Sequence, residues 1–233
     1  MSLKHLQREL KSLANPKQAV ILQRFFKTGP GQYGEGDKFL GIKVPVQRQV
    51  AGRFGHLSLS EIKKLLNSPI HEERLVALLI LVSQFQAAPA VGQRQIFNFY
   101  LKNLQRVNNW DLVDLSAPNI VGQYLLRRPR SALHRLVRSR NLWARRVAII
   151  ATYAFIKKGD YTDTLRLAKL LLTDRHDLIH KVVGWMLREV GKGDQKVLEG
   201  FLLKNVKLMP RTSLRYSIER LPEKRRRFYL ELK

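Results

Sequence analysis

A tryptophan and a carboxylate stand one helical turn apart in the stretch Asn108–Pro118, where Trp110 and Asp114 occupy positions i and i+4. This spacing places both side chains on one face of a helix, whereas Asp111 points to a different face. A carboxylate can stabilise a developing oxocarbenium ion and orient an attacking water, and the face of an indole ring attracts cations. The pair therefore predicts a reactive centre for a transition state that carries positive charge. The alternative is structural, with Trp110 in the core and Asp114 as a surface acid or ion-pair partner.

The charge of the chain indicates a polyanionic partner. The 233 residues include 43 Lys and Arg against 18 Asp and Glu, which gives a formal net charge of +25. So much like charge destabilises a compact fold unless a polyanion or counterions neutralise it. Nucleic acid is the first candidate partner and an anionic membrane surface is the second. Charge alone does not distinguish DNA from structured RNA.

The chain contains no cysteine, which excludes disulfides, cysteine-ligated zinc sites and thiol nucleophiles, and favours an intracellular location. No apolar run approaches the length that spans a bilayer. The six histidines form no HExxH pattern, and although His176 and His180 are at i and i+4, no acid stands at a suitable spacing beside them. We expect a soluble, cytoplasmic and nucleoid-associated monomer that needs no metal or cofactor.

The fold class predicted from periodicity is all-α. Apolar residues recur at helical spacing nearly throughout the chain, and alternation with period two is absent over any useful length. No linker rich in Gly, Ser or Pro divides the chain, so we expect residues 1–233 to form a single domain. Helix starts are predicted at Asn15-Pro16, Val44-Pro45 and the capping box Ser58–Glu61, and breaks at Gly159-Asp160, Gly191–Gly193 and Met209-Pro210.

One long irregular segment, residues 28–43, contains five glycines. Glycine permits positive φ and close approach of the backbone to a ligand. The segment is not a P-loop, because it lacks the closing Gly-Lys-Ser/Thr and no strand precedes it. It is either a connection between helices or a functional loop, since loops of this length are often functional in compact domains.

An internal repeat is visible in five residues that each fall near the start of a predicted helix, with separations of 36, 36, 35 and 34 residues: Arg74, Trp110, Arg146, Lys181 and Arg215. A period in the mid-thirties with two helices per period is typical of HEAT-like or TPR solenoids, and the absence of a TPR consensus favours HEAT-like pairs. Stacked repeats place equivalent helices side by side. On one concave, basic wall we therefore expect Trp110, Asp114, Arg146, Lys181 and Trp185 to converge.

Basic side chains are dense in two regions of the chain. Taken alone, each region is interpreted as a solvated helix face or loop. A concave wall would align several of them against one extended polyanion. The regions comprise Arg127, Arg128, Arg130, Arg135, Arg138, Arg140, Arg145, Arg146, Lys157 and Lys158, and Lys224–Arg227 near the C-terminus.

Four stretches in order along the chain resemble the AlkD-type alkylpurine DNA glycosylases, which are built from HEAT-like repeats. The segment Trp110–Asp114 matches the WDxVD motif of that family. The other three are Tyr33–Asp37 continuing through Gly41–Pro45, Trp143–Ala148 and Gly184–Glu189. The resemblance covers most of the chain. It implies a superhelix that cradles duplex DNA and excises cationic N3- or N7-alkylpurines without turning the base into a pocket.

The resemblance also implies roles for individual residues. Asp114 would be the catalytic carboxylate facing the deoxyribose, with Trp110 and Trp185 framing it, and Arg146 would hold a phosphate near the lesion. Further DNA contacts are expected from Arg145, Lys181 and Phe25. Phe25 stands where some members carry a tyrosine, so it can stack but cannot donate a hydrogen bond. Trp143 is expected to pack in the core.

The sequence therefore predicts a monofunctional DNA glycosylase of base excision repair that acts on alkylated purines in duplex DNA. The leaving base already carries positive charge, so no separate general acid is required, and Asp114 supplies no amine for a lyase step. One alternative is a non-catalytic protein of the same fold that binds branched or distorted DNA or structured RNA. Another is a scaffold for an acidic protein partner.

Overall fold

A computed structural model describes residues 2–233, and its regular structure is helical throughout that range. The all-α prediction is confirmed, since the only β pairing among these residues is an isolated bridge between Lys38 and Ile70. The chain forms two compact units, residues 1–116 and 117–233. A single domain over 1–233 stays a prediction. Within residues 2–233 no helix is long and apolar enough to cross a bilayer.

The first unit contains α1 (Leu3–Ser12), α2 (Pro16–Phe25), α3 (Val44–Arg53), α4 (Leu59–Leu66), α5 (His71–Ala87), α6 (Ala90–Lys102), a short 3₁₀ turn (Leu104–Arg106) and most of α7 (Trp110–Ala117). The predicted helix starts are confirmed. Asn15 caps α2 by accepting the backbone N–H of Gln18 at 3.0 Å. Ser58 and Glu61 form the capping box of α4. Each cap satisfies backbone donors that have no partner inside the helix.

Helix α5 is the central element of the first unit. Its residues from 71 to 81 are all buried, and α1, α3, α4 and α6 pack against it. A helix that is apolar on every side is expected to be buried in this way. Its first turn, His71–Arg74, is polar and also buried, so each of these side chains requires a partner.

The glycine-rich segment is held to α5 by one carboxylate. Glu72 accepts the backbone N–H groups of three consecutive residues, Leu40, Gly41 and Ile42, at 2.9, 2.8 and 3.2 Å. Backbone bonds on either side of the Lys38–Ile70 bridge add to this attachment. These N–H groups donate to the protein itself, which supports a structural role for residues 38–42.

The second unit contains α8 (Gln123–Leu125), α9 (Ser131–Leu136), α10 (Leu142–Ala151), α11 (Tyr153–Ile156), α12 (Thr162–Leu171), α13 (Asp177–Gly193), α14 (Gln195–Asn205), α15 (Arg211–Ile218) and α16 (Glu223–Glu231), preceded by a π-helical turn, Pro118–Gly122. Helix α13 packs against both α10 and α15. Ser213 donates its hydroxyl to the carbonyl of His180 at 2.9 Å. Helices that the repeat spacing treats as equivalent are therefore neighbours within this unit.

The predicted break at Gly191–Gly193 is confirmed, because α13 ends at Gly193, Asp194 is its C-cap and α14 begins at Gln195. Gly191 and Gly193 are both closely packed against side chains. A Cβ on Gly191 would lie 2.4 Å from the side chain of Leu198, and one on Gly193 would lie 2.2 Å from the hydroxyl of Tyr161. The breaks at Gly159-Asp160 and Met209-Pro210 are confirmed.

Gly41 provides a test of the loop attachment. It has a φ of +85°, and an added Cβ would lie 2.2 Å from the carbonyl oxygen of Asn15. Gly41→Ala is expected to lower the free energy of unfolding by about 2–4 kcal/mol, through backbone strain and the clash. Urea denaturation followed by circular dichroism measures the change.

Gly52→Ala is the matched control. Gly52 lies in α3, and an added Cβ would meet no atom within 4 Å. The substitution should therefore raise stability by ~0.5–1 kcal/mol, as expected for Gly to Ala in a helix. Equal effects of the two substitutions would contradict the assigned role of Gly41.

Candidate active site

Trp110 and Asp114 both lie on α7, as the sequence predicts. Trp110 is the first residue of the helix, and its backbone N–H is accepted by the side chain of Asn109 at 2.8 Å. Both Trp110 and Asp114 are half-buried. Each side chain therefore keeps part of its surface accessible to a ligand while the rest is fixed by packing.

The indole of Trp110 belongs to a stack of aromatic rings. It lies 4.9 Å from the ring of Phe26 with an angle of 7° between the planes, and Phe26 lies 5.0 Å from Phe39. Phe25 approaches the indole edge-on at 5.8 Å and is 62% exposed. The stack holds one face of Trp110, and Phe25 adds an exposed ring beside it.

A buried phenol lies close to Asp114. The hydroxyl of Tyr100 is 2.9 Å from that of Ser116, whose own proton goes to the carbonyl of Leu112, so Tyr100 is the donor in this bond. Burial raises the pKa of Tyr100, and the negative charge of Asp114 raises it further. The neutral phenol fixes the inner side of α7 without adding a second charge near Asp114.

A buried ionic network lies under the N-terminal end of α7. His71 places its Nδ1 3.0 Å from Asp37 and its Nε2 2.8 Å from Asp111. Asp37 also pairs with Arg74 at 2.6 Å and accepts the side-chain amide of Asn109 at 3.2 Å. Asp37, His71 and Asp111 are at most 6% exposed. The network joins the glycine-rich segment, α5 and α7.

The two carboxylates keep His71 positively charged. Burial alone would lower the pKa of His71, but the charge of Asp111 and the hydrogen bonds to Asp111 and Asp37 raise this pKa from 6.5 to about 9. Burial likewise opposes ionisation of Asp37, but the hydrogen bond from His71 and the charge of Arg74 hold the pKa of Asp37 below its ordinary value. At neutral pH both ring nitrogens of His71 therefore donate.

The other predicted site residues lie in the second unit and contact partners within it. Arg146 is 5% exposed and donates to the carbonyl of Leu178 at 2.7 Å. Arg145 pairs with Asp174 at 2.6 Å, and Lys181 pairs with Asp177 at 2.7 Å. The predicted convergence of these residues with Asp114 stays a prediction.

Trp185 is half-buried on α13. Its indole N–H donates to Glu189 at 3.2 Å, and its ring lies 6.4 Å from that of Tyr153. Trp143 is 7% exposed, in agreement with its predicted packing role. Among the basic residues of the two dense regions, nine are exposed in this unit: Arg127, Arg135, Arg138, Arg140, Lys157, Lys158, Lys224, Arg226 and Arg227.

His176 and His180 are occupied by backbone contacts. His176 accepts the N–H of Leu178 at 3.1 Å, and His180 bonds the carbonyl of Asp174. Within residues 2–233 no group of three or more His, Asp or Glu side chains has the geometry to hold a metal ion.

A sequence profile of the family described as "DNA alkylation repair enzyme" matches residues 6–221. The chain belongs to this family. The predicted resemblance to AlkD-type enzymes is thereby confirmed at the level of the family. No curated protein matches the chain.

Two solved structures share the fold of this repair-enzyme family member. A predicted DNA alkylation repair enzyme from Enterococcus faecalis aligns with a TM-score of 0.72 at 17% identity, over 90% of this chain and 97% of the other. AlkD2 from Streptococcus mutans aligns with a TM-score of 0.57 at 15% identity, over 88% and 97% of the two chains. The helical-repeat fold is thus confirmed, whereas the concave basic face stays a prediction.

Sequence reasoning missed the roles of Asp37, His71 and Asp111. A signal was present, because His71–Arg74 places four polar residues directly before the apolar run Leu75–Leu81. Polar residues at the start of a fully buried helix must find partners. The sequence does not reveal that these partners come from a loop and from α7.

The network predicts a stability that depends on pH. Because the folded-state pKa of His71 is above 6.5, its contribution is fully present below pH 6.5 and is lost as the pH rises through about 9. The loss should approach ~3 kcal/mol between pH 6.5 and 9.5, from the size of the pKa shift. Asp37 acts in the opposite direction, because its contribution is lost only as the pH falls below its ordinary value of 3.8.

Urea denaturation at pH 6.5 and pH 9.5 measures this loss, with His71→Gln as the control that lacks the titrating group. The variant should be less stable at pH 6.5 and should lose less stability on going to pH 9.5. A parallel decline in the two proteins would show that other groups cause the pH dependence.

Proposed function

We propose that the protein is a monofunctional DNA glycosylase that hydrolyses the N-glycosidic bond of cationic N3- or N7-alkylated purines in duplex DNA. The observation that carries this proposal is the half-buried Asp114, one turn from the stacked Trp110, in a chain of the DNA alkylation repair enzyme family. The net charge of +25 provides the attraction to DNA phosphates.

The chemistry follows from the charge of the substrate. In an N7-alkylguanine the bond from C1′ to N9 breaks with its electron pair moving to the base, which leaves as a neutral molecule. The deoxyribose then carries the positive charge of an oxocarbenium ion. The carboxylate of Asp114 stabilises this cation and orients a water for attack at C1′. The proton lost from the water passes to Asp114 and then to solvent, which leaves an abasic site.

The aromatic residues bind the cationic nucleotide in this mechanism. An indole face attracts a cation by roughly 0.5–2 kcal/mol, depending on how well the site excludes water. Trp110 is held by its ring stack, so little conformational entropy is lost when the nucleotide binds. Phe25 and Trp185 are proposed to contact the same DNA, with Arg145, Arg146 and Lys181 directed to its phosphates.

No separate catalytic acid or cofactor is proposed, because the alkylated base needs no protonation to leave. We further propose that the protein works as a monomer and inside the cell, where the DNA is.

Asp114→Asn tests the proposed carboxylate. The amide keeps the shape of the side chain and removes its charge, so the rate of base release should fall by about 10²–10³-fold. DNA affinity should be unchanged or slightly higher, because a negative charge near phosphates is lost. The measurement is single-turnover release of N7-methylguanine from a duplex with one lesion, together with binding by fluorescence anisotropy.

Glu35→Gln is the matched control, since Glu35 is an exposed acid of the same unit. Its release rate should equal that of the wild type. Release by neither wild type nor variant, with tight binding to branched DNA, would favour a non-catalytic DNA-binding protein. Failure of duplex DNA to bind at all would favour an acidic protein partner.

The monofunctional assignment has its own test, because a lyase step requires a neutral amine that forms an imine with the sugar. The amine of Lys181 is paired with Asp177 at 2.7 Å. Sodium borohydride should therefore trap no covalent complex with abasic DNA, whereas a bifunctional glycosylase assayed in parallel should be trapped. A wild-type complex that disappears in Lys181→Gln would identify a lyase activity instead.

A further inference from the structure

Two chains of contacts lead from His71 to the N-terminal end of α7. The first runs through hydrogen bonds, from Nε2 of His71 to Asp111 at 2.8 Å. Asp111 directly follows Trp110, and its other carboxylate oxygen accepts the backbone N–H of Leu112 at 2.8 Å. The position of His71 therefore fixes the side chain and the backbone of the first turn of α7.

The second chain runs through rings. His71 stacks on Phe39 at 4.5 Å with 20° between the planes. Phe39 stacks on Phe26, which in turn stacks on Trp110 at 4.9 Å. His71 also contacts Phe26 directly, with 5.1 Å between the ring centroids, so His71, Phe39 and Phe26 form a ring cluster on which Trp110 stacks. This ring cluster is connected to α7 twice, through the bond from His71 to Asp111 and through Trp110 itself.

The bond from Asn109 to Asp37 provides a third connection. Asn109 is fully buried, donates to Asp37 at 3.2 Å and accepts the backbone N–H of Trp110 at 2.8 Å. Asp37 is also the second acceptor of His71. All three connections therefore pass through the group of Asp37, His71 and Asp111.

The charges around His71 balance only when it is protonated. It is faced by Asp37 from the glycine-rich segment, by Asp111 from α7 and by Arg74 from its own helix. The formal charges of two carboxylates, one guanidinium and one imidazolium sum to zero. A neutral imidazole has one N–H and one lone pair, so one buried carboxylate would face a lone pair and lose its donor.

We propose that His71, as an imidazolium that donates to both Asp37 and Asp111, is a positioning residue that holds Trp110 and Asp114 in their reactive orientation. This inference rests on the proposed glycosylase function and deepens it. His71 is 1% exposed and acts through Asp111 and the ring cluster, not on the substrate. Misplacement of a reactive group by a fraction of an ångström to one ångström is enough to slow a reaction by up to roughly a hundredfold.

His71→Gln removes the side chain that donates to both carboxylates and one ring of the ring cluster. It should lower the single-turnover rate of N7-methylguanine release by about tenfold to a hundredfold, with the dissociation constant for DNA within about twofold of wild type. Val50→Ala is the matched control, because Val50 is a fully buried residue of α3 outside the network. It removes core packing of the same unit and should leave the release rate unchanged.

Asp111→Asn tests the role of the proton on His71 and keeps every hydrogen bond. With an amide at position 111, a neutral His71 can donate from Nδ1 to Asp37 and accept at Nε2, while the amide oxygen still accepts the N–H of Leu112. Wild-type release, corrected for release without enzyme, should decline as the pH rises through about 9, the pKa of His71. The Asp111→Asn variant should lack this alkaline decline.

The outcomes separate this inference from the function on which it rests. No release by the wild type would remove the proposed function and the positioning role together. Release that depends on Asp114 but is unaffected by His71→Gln would overturn the positioning role alone. An alkaline decline shared by wild type and Asp111→Asn would also overturn it, and this comparison decides the matter even where His71→Gln does not fold.

Discussion

The burial of one histidine between two carboxylates is the interaction on which the site in residues 1–116 depends. Asp37, His71 and Asp111 come from segments 34 and 40 residues apart, and each would be costly to bury without the others. Compared with apolar side chains of the same volume, such a cluster adds little net stability, because the cost of desolvation offsets much of the attraction, whereas loss of one of its charges is strongly destabilising. Its main effect is to allow only one arrangement of the glycine-rich segment, α5 and α7.

Helix α7 combines two acids with different surroundings. Asp111 is 6% exposed and fully engaged by His71 and the backbone, whereas Asp114 one turn further on is half-buried. Because the charge of Asp111 is compensated, it adds little negative potential at Asp114. The site can therefore present one carboxylate to a cationic sugar without a second uncompensated acid that would repel the phosphates of DNA.

The sequence was sufficient to predict the elements but not the network that connects them. Helix caps such as Asn15 and Ser58 depend on hydrogen bonds to residues nearby in the sequence, and the structure places them as predicted. The close packing of Gly191 against the side chain of Leu198 is a contact between two helices, which no local pattern reveals. Asp111 was recognised only as facing away from Asp114, since its partner His71 is a tertiary contact 40 residues distant.

In the proposed function, different residues would attract the DNA and orient the reactive carboxylate. The positive charge that would draw DNA to the protein is spread over 43 Lys and Arg residues, and a charge so distributed cannot by itself place one carboxylate at C1′ of one nucleotide. Placement requires a rigid local structure, since a carboxylate that must reorganise in the transition state loses much of its stabilising effect. In the proposed site, the buried groups around His71 would supply this rigidity without contacting the substrate. For this reason motif comparison does not reveal the roles of such residues. His71 lies outside every matched stretch, and Asp37 and Asp111 lie within matched stretches that do not show that they are its partners.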